Sequence, residues 1–544
     1  MHKANSDYLK ATMKPSIFLL LFLVSAAATA QVTKQTLQSI STPDKIPSAL
    51  GTLVFRDGMP DQATMQRLYD ESDYLHAVDA FINGYALVSQ WAIRKGFLAA
   101  GINDNDVIVF SRLMDAKSLF LTANADTYYF WTYIDLSHGP VIFETPPNTL
   151  GVIDDMWWRW ISDFGLSGPD RGLGGKYLLV PPGYTGPLPE GGYFVFHSRT
   201  LEVGALGRAF LENNSPQPAD ETVKKNLKIY PYTPGGWGAS VGAFLNGTAP
   251  LAALAHPSTP NFIEGSGREM NTIPPADYSF FEMLNEAVQA QPASALDPET
   301  AGHFAAIGIV KDKPFNPEAH TKEILVRAAA MGNAISRTIS FSPRSAEGFS
   351  YYGPNSHWVN PLFIGGYRFE TPPPILTKEG VKEFPFDGAK KLDARIAMFY
   401  SATGITPAMC MRLTNIGSQY LGAFRDSKGI PFDGSRSYKI ILPANIPAAK
   451  FWSLTLYDNQ TRSMLQTPQN YPRAGSQDFP TPAAKPNPDG SFTLYCSPQK
   501  PANIDPGNWI QTVPGKGWFT LLRFYSPLQP FFDKSWIAPD FEPL

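Results

Sequence analysis

From Asp61 onward, apolar positions recur at three- and four-residue spacing: Leu68, Leu75, Val78, Phe81, Tyr85, Val88 and Ala92. That is the period of one helix face. It predicts a long amphipathic helix ending before Gly101, with Asp70, Glu71, Asp73 and Arg94 on its polar side. Between about 105 and 200 the period falls to two and aromatic residues alternate, first over 128–136, then over 140–145, 153–161, 176–180 and 193–198. Gly139-Pro140, Gly168-Pro169 and Gly186-Pro187 punctuate these runs. Alternation bounded by turn residues predicts strands, and an antiparallel sandwich fits them best. An extended chain through 157–160 places Trp158 and Trp160 on one face and Trp157 and Arg159 on the other.

From about 230 to 345 the helical period returns. Asp297-Pro298-Glu299 and Asn316-Pro317-Glu318 each set a capping residue before proline, with an acid in the first turn, which marks two helix starts. Phe281, Leu284 and Val288 share one face of a further helix over 278–288. The last 150 residues alternate again, at 437–442, 451–457, 491–496 and 518–525, with Asp489-Gly490 as a turn before its strand. Residues 31–58 lack periodicity and read as a lead-in that adds at most one strand. The expected fold is mainly β with α insertions: an N-terminal β-sandwich, a central helical segment and a C-terminal jelly-roll-like β-sandwich. The expected units are 1–30, 31–104, 105–230, 231–394 and 395–544.

Composition sharpens this reading. Of 544 residues, 43% are hydrophobic, 13% aromatic and 17% charged, which excludes a disordered chain or a coiled-coil array. The 44 glycines and 50 prolines are spread without period, in keeping with many short elements joined by turns. A net charge of −3 gives no basic field for phosphate backbones, so nucleic acid is not an expected partner. Lys14 precedes the apolar run 17–24, and small residues follow from Ala26 to Ala30. This pattern predicts a cleaved export signal with Gln31 as the first mature residue, a periplasmic or secreted location, and no stable membrane insertion after cleavage. Only Cys410 and Cys496 are present; one bridge or two free thiols fit equally, and neither supplies a thiolate-rich metal site.

The chain holds no G-x-S-x-G, no GK[ST] phosphate loop, no H-E-x-x-H and no C-x-x-C. Gly172-Leu173-Gly174-Gly175-Lys176 leads into a strand rather than a helix, so it reads as a turn and no nucleotide cofactor is expected. Eight histidines are scattered, with none paired at helical spacing; the metal question stays open. The densest polar cluster is Asn124-Ala125-Asp126-Thr127, followed by Asp154-Asp155-Met156-Trp157-Trp158-Arg159-Trp160 and Asp163. Charges set into apolar strands must be paired, hydrogen-bonded or shifted in pKa. Asn124 and Asp126 also suit a simple Asx turn.

These same residues carry a resemblance. Asn124-x-Asp126-Thr127, the block from Asp154 through Asp163 to Gly168-Pro169-Asp170 and Lys176-Tyr177, and Pro181-Pro182-Gly183-Tyr184 resemble a bacterial family known as domain of unknown function 1254. Phe451-Trp452-Ser453-Leu454-Thr455-Leu456-Tyr457-Asp458, Asn487-x-Asp489-Gly490-Ser491, Asn508-Trp509 and Arg523-x-Tyr525 resemble its usual companion, domain 1214. The likeness spans roughly 60 to 544. Ile510 to Pro514 depart from the Leu-Pro-x-Pro more usual there. The resemblance implies a β-sandwich, a helical insert and a jelly-roll-like second half, and no reaction.

Two functional readings follow, beside a third in which the chain is a purely structural envelope protein. In the first, the chain is an exported enzyme, hydrolytic among other options, acting on a small or oligomeric organic substrate in an aromatic-lined cleft between the β units. Asp126 and Asp163 are its candidate acid/base or metal-binding carboxylates, with Asn124, Thr127, Trp157, Lys176, His357 and Trp452 as substrate contacts. In the second, the same aromatic residues bind a saccharide or envelope ligand without catalysis.

Overall fold

The computed structural model describes residues 32–234, 245, 247, 259–344, 348–370, 375–377, 380–382 and 388–544. The predicted export signal lies outside these residues. Helix and strand are nearly balanced, at 28% and 27%, so the chain is mixed α/β rather than mainly β. No sheet closes into a barrel among the described residues.

The described residues divide into two compact units, one up to Ser72 and one from Asp73 onward. In the first, a helix Lys34–Ile40 precedes a three-stranded sheet of Lys45–Ser48, Gly51–Arg56 and Met59–Pro60. The lead-in 31–58 therefore contributes two strands rather than one, and the third follows directly after it. Arg67 ties the following helix to this sheet by donating to the carbonyls of Leu50 and Thr52, each at 3.1 Å.

The second unit holds two larger sheet pairs and the helices beside them. The first pair joins a six-stranded sheet, in order Phe262–Glu264, Val107–Phe110, Tyr128–Asp135, Glu202–Ala209, Thr149–Asp155 and Trp160–Gly165, to a four-stranded one of Phe194–His197, Lys176–Val180, Val141–Glu144 and Lys228–Pro231. Alternation along Tyr128–Asp135 divides its side chains: Tyr128, Phe130 and Ile134 enter the core shared with Phe143, Tyr177 and Leu179, whereas Trp131 and Tyr133 pack toward the helices. The strand Glu202–Ala209, at the centre of the sheet, escapes the sequence reading. Its Gly207 pairs with Phe130 and with Gly151, which pairs with Phe164. A Cβ on Gly207 would lie 2.1 Å from the Phe130 ring, and one on Gly151 2.0 Å from Phe164. The two rings thus cover bare backbone on neighbouring strands.

The expected strand over 153–161 is instead a hairpin, and this corrects the proposed sharing of faces by the tryptophans. Thr149–Asp155 ends where Trp158 takes a φ of +55°. Asp155 stabilises the turn: Oδ1 accepts the Trp157 and Arg159 N–H groups at 2.8 and 3.0 Å, and Oδ2 lies 2.6 Å from Arg159 Nε. Trp158 enters the core while Trp157 and Trp160 stay half-buried.

Helices occupy much of 279–410. Ser279–Ala290 buries Phe281, Leu284 and Val288 together, as their spacing predicts. Pro298–Ala306 starts on Asp297, whose side chain accepts the Thr300 N–H at 3.1 Å. The next helix, Ala319–Phe341, begins after Glu318 rather than at the Asn316-Pro317 signal. The long helix Gln62–Ala99 is not amphipathic in its second half: from Ala77 it is covered on nearly all sides. Phe81 stacks on Phe280 at 4.0 Å and Phe97 meets Trp131 edge-on at 5.9 Å, so helices and sheet both pack on it. Leu75, counted on the apolar stripe, is exposed.

The second sheet pair joins a five-stranded sheet, Trp358–Val359, Ser418–Ala423, Trp518–Pro527, Ala448–Asp458 and Arg473–Gly475, to a four-stranded one of Trp509–Gln511, Phe492–Ser497, Tyr438–Leu442 and Glu542–Pro543. The inner face of the five-stranded sheet is apolar, with Leu421, Trp452, Leu454, Leu522 and Phe524 packed against Ile440, Leu494 and Ile510. Its outer face carries Ser418, Tyr420, Phe451, Ser453, Tyr457, Arg473, Arg523 and Tyr525, as the cross-strand pairs Tyr420 with Arg523 and Ser418 with Tyr525 require. Those side chains are almost all buried, so this polar and aromatic face is covered by protein.

Candidate functional site

The cover is the segment that approaches the strand Tyr128–Asp135. Asn124 closes an Asx turn, its Oδ1 accepting the Asp126 N–H at 2.7 Å, and its amide donates to the Tyr525 hydroxyl. Asp126 Oδ1 lies 2.8 Å from Arg473 Nε, and Oδ2 accepts Ser453 Oγ at 2.6 Å and the Tyr525 hydroxyl at 3.0 Å. The Asp126–Arg473 contact is an ion pair rather than an aligned hydrogen bond, since neither atom has a hydrogen-bond partner. Arg523 Nη2 donates to the carbonyls of Thr122 and Ala123, at 2.9 and 3.3 Å, and Tyr457 to that of Ala123 at 2.7 Å. One short polar segment is thus fastened to the outer face of the distant sheet by seven contacts.

Those contacts join the two sets of motifs. Family profiles match on the same two parts of the chain: "Protein of unknown function (DUF1254)" over 105–231 and "Protein of unknown function (DUF1214)" over 417–529. The chain carries an N-terminal DUF1254 domain and a C-terminal DUF1214 domain. No curated protein matches the chain. Among solved structures, the VPA0106 protein from Vibrio parahaemolyticus is similar at 16% identity, with 87% of this chain and 100% of that one covered and a TM-score of 0.48. An uncharacterised protein from Burkholderia cenocepacia is similar at 12% identity, with 89% and 97% covered and a TM-score of 0.36.

Beside the pinned segment, between the DUF1254 and DUF1214 sheets, is a cavity of about 170 Å³. Tyr129, Trp131 and Leu206 line it from the DUF1254 side, and Tyr420, Phe519, Leu521 and Arg523 from the DUF1214 side. Leu362, Ala397, Met398 and Met409 complete it from the intervening helices and loops. A second hollow of about 100 Å³ shares Tyr129, Leu206, Thr403, Met409 and Tyr420 with the first, and adds Arg208 and Ser418. Apolar side chains dominate. No carboxylate lines either hollow among the described residues.

The charged groups on these walls, among the described residues, are Arg523, which is buried, and Arg208, which is half-buried, with the Tyr420 phenol between them. Arg523 is 2% exposed, and its Nε and Nη1 have no hydrogen-bond partner. Arg208 Nη2 donates to Ser418 Oγ at 2.8 Å, and Nη1 reaches the hydroxyls of Tyr129 and Tyr420 at 3.4 and 3.5 Å. Ser418 Oγ and the Tyr420 hydroxyl are 2.7 Å apart. Burial raises the pKa of Tyr420, but Arg208, the Ser418 hydrogen bond and Arg523 outweigh it and leave the phenol below its ordinary range. Tyr525 goes the other way: burial and then the Asp126 charge hold its proton well above that range. Two tyrosines of one sheet face are thus pushed apart, one toward ionisation and one away from it.

The residues singled out in the sequence are scattered over the second unit. Only Asn124 lines the cavity. Asp126 is consumed by Arg473, and Thr127 is fully buried behind it. Asp163 lies in a different network, accepting the Trp160 Nε1 at 2.9 Å and Thr406 Oγ1 at 3.5 Å. Burial lifts its pKa to about 6 despite those bonds. Trp157 borders a separate cleft. Lys176 sits on the four-stranded DUF1254 sheet, 3.6 Å from Glu144. The backbone N–H of His357 donates to Asp540 at 3.1 Å. Trp452 points to the inner face of the DUF1214 sheet, its ring 5.0 Å from Phe492. The lining residues Arg208, Ser418 and Tyr420 were missed because their strands, broken by Gly204, Gly207 and Gly422, show little apolar alternation. Arg523 was quoted only for the resemblance. The cysteines are free and buried, and no group of three His, Cys, Asp or Glu side chains is placed to hold a metal among the described residues.

Proposed function

We propose that this protein binds a small, largely apolar organic anion, a carboxylate in the simplest case, in the cavity between the DUF1254 and DUF1214 sheets. The observation that carries this reading is the Arg523 guanidinium: buried, with two N–H-bearing nitrogens unpartnered, on the wall of an apolar cavity that no carboxylate lines. Buried guanidinium N–H groups without acceptors are costly, and an anionic ligand relieves that cost. Paired with Asp126, Arg473 has no need of one. The apolar wall selects the body of the ligand, and Arg523 with Asn124 orients its head. We read each sheet pair as a sandwich, the second jelly-roll-like, and the protein as exported to the periplasm or beyond. The mass of the mature chain tests the export step.

A second reading, catalysis, is favoured by Tyr420. Its lowered pKa and its place on the wall common to both hollows suit a group that takes a proton from a bound substrate and returns it. The acid/base role sought in Asp126 and Asp163 passes to this phenol. The test of binding is calorimetry with straight-chain carboxylates and the alcohols of equal length. The carboxylates are expected to bind at least tenfold tighter, on the order of 1.4 kcal/mol, and Arg523→Met to abolish that preference. Equal affinity for both series, or an unaltered preference in the variant, overturns the reading.

A further inference from the structure

A cleft of about 600 Å³ lies beside the 155–161 hairpin and shares no lining residue with the cavity or its neighbour. Three half-buried rings border it: Trp157, Trp160 and Tyr367. Trp160 and Tyr367 meet edge-on with centroids 5.5 Å apart, and the Arg368 guanidinium lies over the Tyr367 ring at 5.4 Å. The Trp157 ring carries the Arg159 guanidinium at 5.3 Å.

Charge along this cleft is unbalanced. Three carboxylates line it, and each already faces a lining cation: Asp155 Oδ2 lies 2.6 Å from Arg159 Nε, Glu370 bonds to Lys390, and Asp297 shares the field of Arg395. Arg199 and Arg368 also line it, are exposed, and have no carboxylate partner among the described residues. Arg159 is held at Nε by Asp155 and at Nη1 by the Ala295 carbonyl at 2.8 Å, while its Nη2 is buried without a partner. A guanidinium fixed in this way, with one nitrogen unspent, is pre-organised for an acceptor supplied from outside.

We infer that this cleft binds an acidic saccharide, a sugar carrying a uronic-type carboxylate. Each feature of the lining matches one part of such a ligand. Arginines without counter-ions take the carboxylate. Aromatic rings take the C–H face of a pyranose. Asp297 and Glu370 only accept hydrogen bonds when ionised, so their remaining lone pairs suit hydroxyl donors, which a sugar offers and a simple aromatic or aliphatic acid lacks.

The experiment is titration of the full chain with tri-galacturonate and with neutral maltotriose, read by calorimetry and tryptophan fluorescence. Arg199→Gln and Arg368→Gln change exposed side chains, and an unaltered melting temperature shows that each folds. Tri-galacturonate is expected to bind and to change the fluorescence, with affinity falling about tenfold in the double variant and falling further as salt is raised. Maltotriose is expected to bind weakly or not at all. No binding of tri-galacturonate at about 10 mM, equal affinity for maltotriose, or full affinity in the double variant overturns the inference.

Discussion

Asp126 and Arg473 form an ion pair at 2.8 Å with no solvent exposure on either side chain. Asp126 lies in the segment 122–127 of the first sheet pair, and Arg473 opens a strand of the second. The Tyr525 hydroxyl, 399 residues from Asp126 in the chain, bonds to the same carboxylate. Asp126, the candidate acid from the sequence, holds the segment whose carbonyls accept from Arg523, a residue on the cavity wall.

Removing one member of that pair strands the other. Asp126→Ala is expected to cost about 3–5 kcal/mol, since it leaves a buried guanidinium uncompensated. Replacing both, as Asp126→Leu with Arg473→Met, should cost clearly less than the two single changes summed. Urea unfolding of the four proteins measures it; strict additivity would show that the pair is not the fastening.

Asp163 should make the protein less stable as pH rises. Its folded pKa of about 6 stands above the unfolded value of 3.8, so the folded state favours the protonated acid. Stability is greatest below the unfolded pKa and declines as pH climbs through about 6. The difference amounts to about 3 kcal/mol at most. Asp163→Asn, neutral throughout, is expected to lack that part of the decline. A variant whose stability follows pH as the wild type does would contradict the placement of this acid.

Tyr420 is expected to ionise below the ordinary tyrosine value of 10.0, because Arg208, the Ser418 hydrogen bond and Arg523 together overcome its burial. Ultraviolet titration should show one early phenolate that is absent in Tyr420→Phe and shifts to higher pH in Arg208→Met. A carboxylate bound beside Arg523 should also delay that step. Identical titrations of wild type and Tyr420→Phe would remove the phenol from the proposed chemistry.

Both thiols should be silent in the native protein. Cys410 and Cys496 are free and buried, and burial pushes each thiol well above its ordinary pKa, so little thiolate is available to react. Ellman's reagent is expected to label neither until denaturant is added, then both. Rapid native labelling, or a chain that yields no thiol on unfolding, would refute this.

Much of this architecture is visible in the chain itself. Strands with strict alternation and large apolar residues, such as Tyr128–Asp135, Lys176–Val180 and Trp518–Pro527, declare themselves because a half-buried strand imposes a period of two. Asp297 declares its helix because an unpaired N–H group needs an acceptor near at hand. The two domain identities are equally legible, in motifs where Asn124, Asp126, Arg523 and Tyr525 stand.

The site obeys a different logic. Glu202–Ala209 and Ser418–Ala423 are weak strands by pattern, and Phe130 and Phe164, from other strands, lie over the glycines of the central pair Gly207 and Gly151. Those two weak strands carry Arg208, Ser418 and Tyr420. Along the DUF1214 sheet, a face of Ser418, Tyr420, Ser453, Arg473 and Arg523 has the pattern of a solvent face, because periodicity records which residues point together and not what covers them. Only long-range packing buries it. Once water is excluded there, the same arginines gain their field, one phenol drops in pKa while another rises, and two nitrogens on Arg523 are left without hydrogen-bond partners. Local pattern determined which strands would form; the tertiary structure decided which polar face would lose its water, and so where chemistry could occur.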